Sequence, residues 1–191
     1  ANVTGASAGT AIITHTAGTC TVTTTLTVNP VPTAITGSAQ VCLGGSTVLS
    51  STPAGGTWSS SNTAVATVTS GTVNALTVGT SNITYMFMPS CRAITTVTVN
   101  SLPALQTVTG GGSFCASGSG LPVSITGSET GVNYSLYNGA TLVTTVAGTG
   151  AAINFGTFTA PGTYTVLATN TTTTCTRNMT GSATIVVTSA V

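Results

Sequence analysis

The stretch CTVTTTLTV, residues 20–28, places Cys20, Val22, Thr24, Leu26 and Val28 on one side of an extended chain and Thr21, Thr23, Thr25 and Thr27 on the other. A period of two fits a strand with one dry face and one wet face, and it does not fit a helix. CRAITTVTVN, residues 91–100, repeats the pattern with Cys91, Ala93, Val97 and Val99 in phase. Threonine and valine dominate the chain, and their branched Cβ atoms favour extended backbone. Clusters of glycine, proline, serine and asparagine interrupt these runs at short intervals, and no window carries helical periodicity. The fold class predicted is all-β.

The two stretches belong to an internal repeat. GTVNALTVGTSNITYMFMPSCRAITTVTVN, residues 71–100, aligns with ANVTGASAGTAIITHTAGTCTVTTTLTVN, residues 1–29, with one residue of length difference before the cysteine. Val73 matches Val3, Gly79 matches Gly9, Ile83 matches Ile12 or Ile13, Cys91 matches Cys20 and Asn100 matches Asn29. Residues 1–29 therefore read as the C-terminal half of a β-domain, to be completed by another chain or by a preceding repeat. A complete copy is expected over residues 30–100, opening on the PVPT linker, and a related but longer one over residues 101–191, after NSLPALQ.

Charge is nearly absent. Two arginines, one glutamate and one histidine are the whole set of charged or imidazole side chains in 191 residues, 2% charged, where an ordinary domain has about 25%. Arg92, Arg177, Glu129 and His15 fall in different segments, so a nucleophile triad lacks its acid and a glycosidase pair lacks its second carboxylate. Calcium and zinc sites lack their ligand sets, and two arginines cannot make a nucleic-acid patch. No enzyme, cofactor, metal or nucleic-acid function is expected. No apolar run is long enough for a membrane helix and no leader-like start is present, so the expectation is a soluble mature segment without membrane insertion. Hydroxyl groups must keep the surface wet, and a net charge of +1 gives copies little reason to repel one another.

Domains of 70 to 90 residues, as outlined here, bury small cores and need reinforcement. Five cysteines are available: Cys20, Cys42, Cys91, Cys115 and Cys175. Cys42 precedes a strand and Cys91 begins the last one of the complete copy, and Cys115 and Cys175 hold the same positions in the longer one. The disulfides expected are thus Cys42 with Cys91 and Cys115 with Cys175, each closing a loop worth roughly 4 kcal/mol in the chain-entropy model. Cys20 is left unpaired or intermolecular. Disulfides imply an oxidising, extracellular or cell-surface setting; the alternative is five buried free thiols.

The segment TWSSSNTAVATVTSGTVNALTVGTSNITY, residues 57–85, resembles the bacterial immunoglobulin-like domain of group 2. Its tryptophan and serines, alanine-valine strand, G-x-V turn and G-T-x-x-I strand correspond to Trp58, Ser59, Ser60, Ala64 to Val68, Gly71, Val73, Gly79, Thr80 and Ile83. GSAQVCLGGSTVLSS and GTYTVLATNTTTTCT are similar to cysteine-containing repeats of very large surface proteins of gliding and filament-bearing Bacteroidota. The resemblance implies tandem immunoglobulin-like β-sandwiches, the first incomplete, displayed on a cell surface as adhesin stalks, fibres or spacers. It carries no catalytic residues. The tryptophan of antibody domains packs on a central disulfide, whereas Cys42 lies before its strand, so any bridge is expected near one end of the sandwich, with Trp58 in the core.

Function is accordingly expected to be structural, with partners that are copies of the same chain in a filament or neighbouring repeats of one polypeptide. The alternative is a carbohydrate-recognition module for surface glycans. Tyr134 and Tyr137 would be its stacking residues, with Phe155 and Phe158 beside them, although alternate spacing in strands favours core packing for all four. His15 is expected as a plain strand residue and Glu129, in the GSETG turn, as a solvated one. The sequons at Asn2, Asn82, Asn133, Asn170 and Asn178 are of the number that so threonine- and asparagine-rich a chain produces by chance.

Overall fold

A computed structural model describes residues 2–88 and 91–189; residues 1, 89, 90, 190 and 191, among them the outermost positions of segments 1–29 and 101–191, lie outside the described residues. Every regular element among the described residues is a strand. The chain divides into two compact units, Ala1–Val99 and Asn100–Val191.

The first unit opens with β1 (Gly9–Ala17) and β2 (Cys20–Val28), an antiparallel hairpin closed by a two-residue turn at Gly18 and Thr19. These two strands form a sheet of their own. The sandwich that follows is built from β3 (Gln40–Cys42), β4 (Ser46–Val48), β5 (Thr57–Ser60), β6 (Ala66–Thr69), β7 (Thr72–Ala75), β8 (Gly79–Met88) and β9 (Cys91–Asn100). One sheet has the order β3-β9-β8-β5 and the other β4-β7-β6, with a bridge from Thr36 to Ser50 adding an outer edge to β4. In immunoglobulin terms these are A′-G-F-C against A-B-E-D. Alternate residues of both sheets turn inward, and Val41, Leu49, Ala66, Val73, Ile83 and Val97 make the centre of the core.

The second unit comprises β10 (Val108–Gly110), β11 (Gly112–Cys115), β12 (Leu121–Ile125), β13 (Val132–Asn138), β14 (Thr141–Ala147), β15 (Ile153–Phe158), β16 (Gly162–Asn170), β17 (Thr176–Asn178) and β18 (Ala183–Thr188). Its sheets run β10-β12-β15 and β11-β18-β16-β13-β14, with β17 beside β16. This is A-B-E against A′-G-F-C-C′, and β14 is a strand that the first sandwich lacks. Tyr164, near the start of β16, donates its hydroxyl hydrogen bond to the carbonyl of Ala160 four residues upstream, at 2.9 Å. That is the tyrosine corner of immunoglobulin sandwiches. The all-β, immunoglobulin-like architecture expected from the sequence is the one observed.

Cys20 is unpaired, as one of the two expected alternatives has it, but the bonding of the other four cysteines differs from expectation. Cys42 and Cys175 are disulfide-bonded, while Cys20, Cys91 and Cys115 carry free thiols. The pairs Cys42 with Cys91 and Cys115 with Cys175 are therefore not formed, and distance is the reason. In the second unit β11 runs parallel to β18 with Cys115 opposite Thr188, beyond the Gly162 end of β16, whereas Cys175 accepts a hydrogen bond from Asn170 at the other end of β16. Eight residues of strand at about 3.4 Å each put the two sulfurs on the order of 25 Å apart, and a disulfide needs Cα atoms within about 7 Å. The first unit repeats the problem. In the turn after Cys42, Gly44 N–H donates to the Ala75 carbonyl and the Gly45 carbonyl accepts from Ala75 N–H, at the end of the sandwich where Gly79 pairs with Val99. Cys91 starts β9 at the opposite end.

Candidate functional site

Two surface features of the first unit stand out: the exposed β1–β2 hairpin and a groove beside Trp58. The hairpin is a second copy of β8–β9. In β8–β9, Gly79 pairs with Val99, Thr80 with Thr98 and Met86 with Arg92. In β1–β2, Gly9 pairs with Val28, Thr10 with Thr27 and Thr16 with Thr21. Gly9 and Gly79 even share a φ of 148°, a backbone region that side chains with a Cβ rarely enter. The one-residue length difference seen in the sequence is a bulge in β8, where the register shifts between Met86 and Met88. Register thus resolves the alignment: Ile13 corresponds to Ile83, Leu26 to Val97, Val28 to Val99, and His15 to Tyr85.

Burial separates the copies. Ile83 and Val97 are 0% exposed, yet Ile13 and Leu26 are each 36% exposed. Every residue of β1 and all of β2 but Val28 lie open to solvent. Val28 packs against Gly5, and residues 3–8 curl over the same end of the hairpin, enclosing an open cleft of about 340 Å³ with Ala11 and Leu26. A face whose sequence is that of an F–G strand pair has no sheet stacked on it among the described residues.

The groove lies beside the loop between β4 and β5, where Thr33 N–H donates to the Thr52 carbonyl at 2.7 Å. Trp58 is half-buried, packs against the core and meets Tyr85 with ring centroids 4.7 Å apart. The Tyr85 hydroxyl donates to the carbonyl of Pro53 at 2.5 Å and accepts from the N–H of Gly56 at 2.7 Å, so one buried phenol holds the loop between β4 and β5. Gly56 is required there, because a Cβ on it would sit 2.4 Å from the Tyr85 ring. The resulting groove, about 300 Å³, is lined by Trp58, Tyr85, Ser50, Ser51 and Ser70 among others.

Tyr134 and Tyr137 do not form a stacking strip. Tyr134 is fully buried, and Phe155 and Phe158 pack against the same core from the facing sheet. Tyr137 is half-buried on the same strand, with a register shift between Leu136 and Tyr137. Tyr134 accepts a hydrogen bond from the N–H of Glu129 at 3.0 Å. Burial pushes its phenol above the ordinary value of 10.0, and the nearby Glu129 carboxylate pushes the same way, against the lowering effect of the Glu129 backbone hydrogen bond. The folded state therefore holds this proton more tightly than the unfolded chain does. Its contribution to stability is complete below about pH 10 and is lost as the pH rises through the folded value. Urea midpoints at pH 9 and pH 11 should show that decline, and Tyr134→Phe should flatten it.

Glu129 does more than meet solvent. Its carboxylate accepts the N–H of Ala104 at 2.6 Å, and Arg177 donates to the carbonyl of Pro103 at 3.3 Å. Both charged side chains of the second unit thus fasten the backbone that leads into it. This clamp was not legible in the sequence, where Glu129 and Arg177 stand 48 positions apart. Among the described residues no group of three or more His, Cys, Asp or Glu is placed to hold a metal ion, and no helix is long and apolar enough to cross a membrane.

No family model matches the chain, and no curated protein matches it either. Among solved structures it is similar to the human OSCAR ligand-binding domain, at 15% identity and a TM-score of 0.37, over 82% of this chain and 98% of that one. It is similar to murine CEACAM1b at 12% identity and a TM-score of 0.39, over 81% and 100%. Domains 4–9 of the surface layer protein SbsC match over 96% of this chain at 18% identity and a TM-score of 0.28, and there the chain spans 35% of the other's length.

Proposed function

We propose that this chain is a structural segment of an extracellular fibre or adhesin stalk, in which the β1–β2 hairpin is one half of a sandwich that a neighbouring repeat or copy completes. The observation that carries the reading is the identity of register between β1–β2 and β8–β9, combined with the exposure of Ile13 and Leu26 where Ile83 and Val97 are buried. A lone two-stranded hairpin is marginal in water, and its free edges and apolar face are a template for further strands. Disulfide bonding at Cys42 and Cys175 supports an oxidising, extracellular setting. The sequence resemblance to surface repeats of Bacteroidota points the same way. The role in this reading is mechanical: strand ladders carry tension along the repeats, and a hydroxyl-rich surface of net charge +1 lets them pack without ionic conditions.

The test is association of the chain after its free thiols have been blocked with iodoacetamide, the disulfide being left intact. Sedimentation velocity should show concentration-dependent growth, and amide exchange in residues 9–28 should slow as it proceeds. A dispersed monomer with a well-protected hairpin would remove the proposal. The second reading, a carbohydrate-binding module, is favoured by the serine-lined groove at Trp58 rather than by Tyr134 and Tyr137. Glycan-array binding that disappears in Trp58→Ala would support it.

A further inference from the structure

The cysteines fall into two classes by place in the fold. Cys42 closes β3 and Cys115 closes β11, the A′ strands of the two sandwiches, and each is followed by the same turn: Gly45 N–H donates to the Cys42 carbonyl at 2.8 Å and Gly118 N–H to the Cys115 carbonyl at 2.7 Å. Cys20 opens β2, Cys91 opens β9 and Cys175 stands immediately before β17, all after the turn that follows an F strand or its copy. Strand-end separation places Cys42 and Cys91 at opposite ends of the first sandwich and Cys115 and Cys175 at opposite ends of the second, so a bond within either pair is closed by distance.

One member of each class, Cys42 and Cys175, is in disulfide linkage. Both classes also retain a free, exposed thiol: Cys115 in the first and Cys20 in the second. Cys20 sits at a hairpin tip with only Gly18 and Thr19 in the turn, where nothing on its own strand screens it. Cys91 is less accessible, being half-buried. We propose that Cys115 of one copy and Cys20 of the next form an intermolecular disulfide, joining chains head to tail. Because the two cysteines are different surfaces of the chain, the contact is heterologous and propagates into an open polymer rather than closing a symmetric dimer. Few charges oppose the approach, since only 2% of residues are charged. This goes further than the proposed function by naming the covalent joint, and it rests on that reading for the association of copies.

The bond forms by thiol–disulfide exchange with a small-molecule disulfide as oxidant. With oxidised glutathione, one cysteine thiolate takes a glutathionyl sulfur and releases reduced glutathione. The thiolate of the other cysteine then attacks that mixed disulfide and releases a second glutathione. Two protons and two electrons pass from the protein thiols to the oxidant.

The experiment uses the full chain incubated with oxidised glutathione and read by non-reducing electrophoresis and intact mass. Wild type and Cys91→Ser should give a series of bands at successive multiples of the monomer mass. Cys20→Ser alone and Cys115→Ser alone should each stay monomeric, and an equimolar mixture of the two should give a dimer and nothing larger, which also shows that both variants are folded. Dimers from Cys115→Ser alone would mean Cys20 bonds to itself and would overturn the proposal. So would multimers that persist in Cys20→Ser, multimers that require Cys91, or a wild-type chain left as a monomer carrying glutathione adducts. Association of the alkylated chain with no covalent series would sink this joint while leaving the proposed function standing.

Discussion

Ile83→Ala should cost about 3 kcal/mol of stability, and Ile13→Ala, at the matching position of the repeated hairpin, should cost less than about 0.5 kcal/mol in the dispersed chain. Ile83 lies at 0% exposure in the first-unit core, so truncation removes a full transfer contribution and leaves a cavity among Val97, Val73 and their neighbours. Ile13 is already open to water at 36% exposure, and no sheet stacks on it among the described residues. Urea denaturation followed through Trp58, the single tryptophan of the chain, reports the first sandwich and separates the two variants. In the associated state the order should change: burying Ile13, Leu26 and Val28 against added strands is worth on the order of a few kcal/mol, so Ile13→Ala should weaken association by tenfold or more. Equal costs for the two alanine variants in the dispersed chain would show that the hairpin already possesses a core.

The cysteines should divide just as sharply. Cys42→Ala and Cys175→Ala should each lower stability by about 2 to 5 kcal/mol, the usual loss when a native disulfide is removed. Cys115→Ala should stay within about 0.5 kcal/mol, because that thiol is free and exposed, and Cys91→Ala should cost little more. Dithiothreitol should reproduce the first effect in the wild type and add nothing to Cys42→Ala. The pairing expected from sequence position would instead make Cys42 match Cys91, and Cys115 match Cys175, so four melting curves discriminate between the arrangements. Were Cys91→Ala to destabilise as much as Cys42→Ala, the strand-end distances described above would have to be wrong.

Strand formation was legible in the sequence because it depends on local chemistry. The alternation in residues 20–28 and 91–100 became β2 and β9, and the threonine-valine composition left no competing helix. Spacing alone also exposed the repeat, since two copies of one hairpin must carry the same apolar phase and the same glycine at the strand start. It could not choose between Ile12 and Ile13 as the partner of Ile83, because a bulge in β8 shifts the count by one and only the ladder register shows on which side of the bulge the residue falls. Core packing was the favoured role for Tyr134, and its full burial follows from a strand whose inward phase also contains Val132 and Leu136.

Sequence by itself determined that the chain is made of strands, that these alternate between a dry and a wet face, and that one hairpin occurs twice, since each property is set by neighbours a few residues apart. Tertiary structure alone decided which cysteines can meet, that Glu129 and Arg177 grip Pro103 and Ala104, and that one copy of the hairpin is covered while the other is bare. Those outcomes depend on which ends of a sandwich coincide in space, and at about 3.4 Å per residue a strand of nine residues separates groups that a linear spacing treats as equivalent.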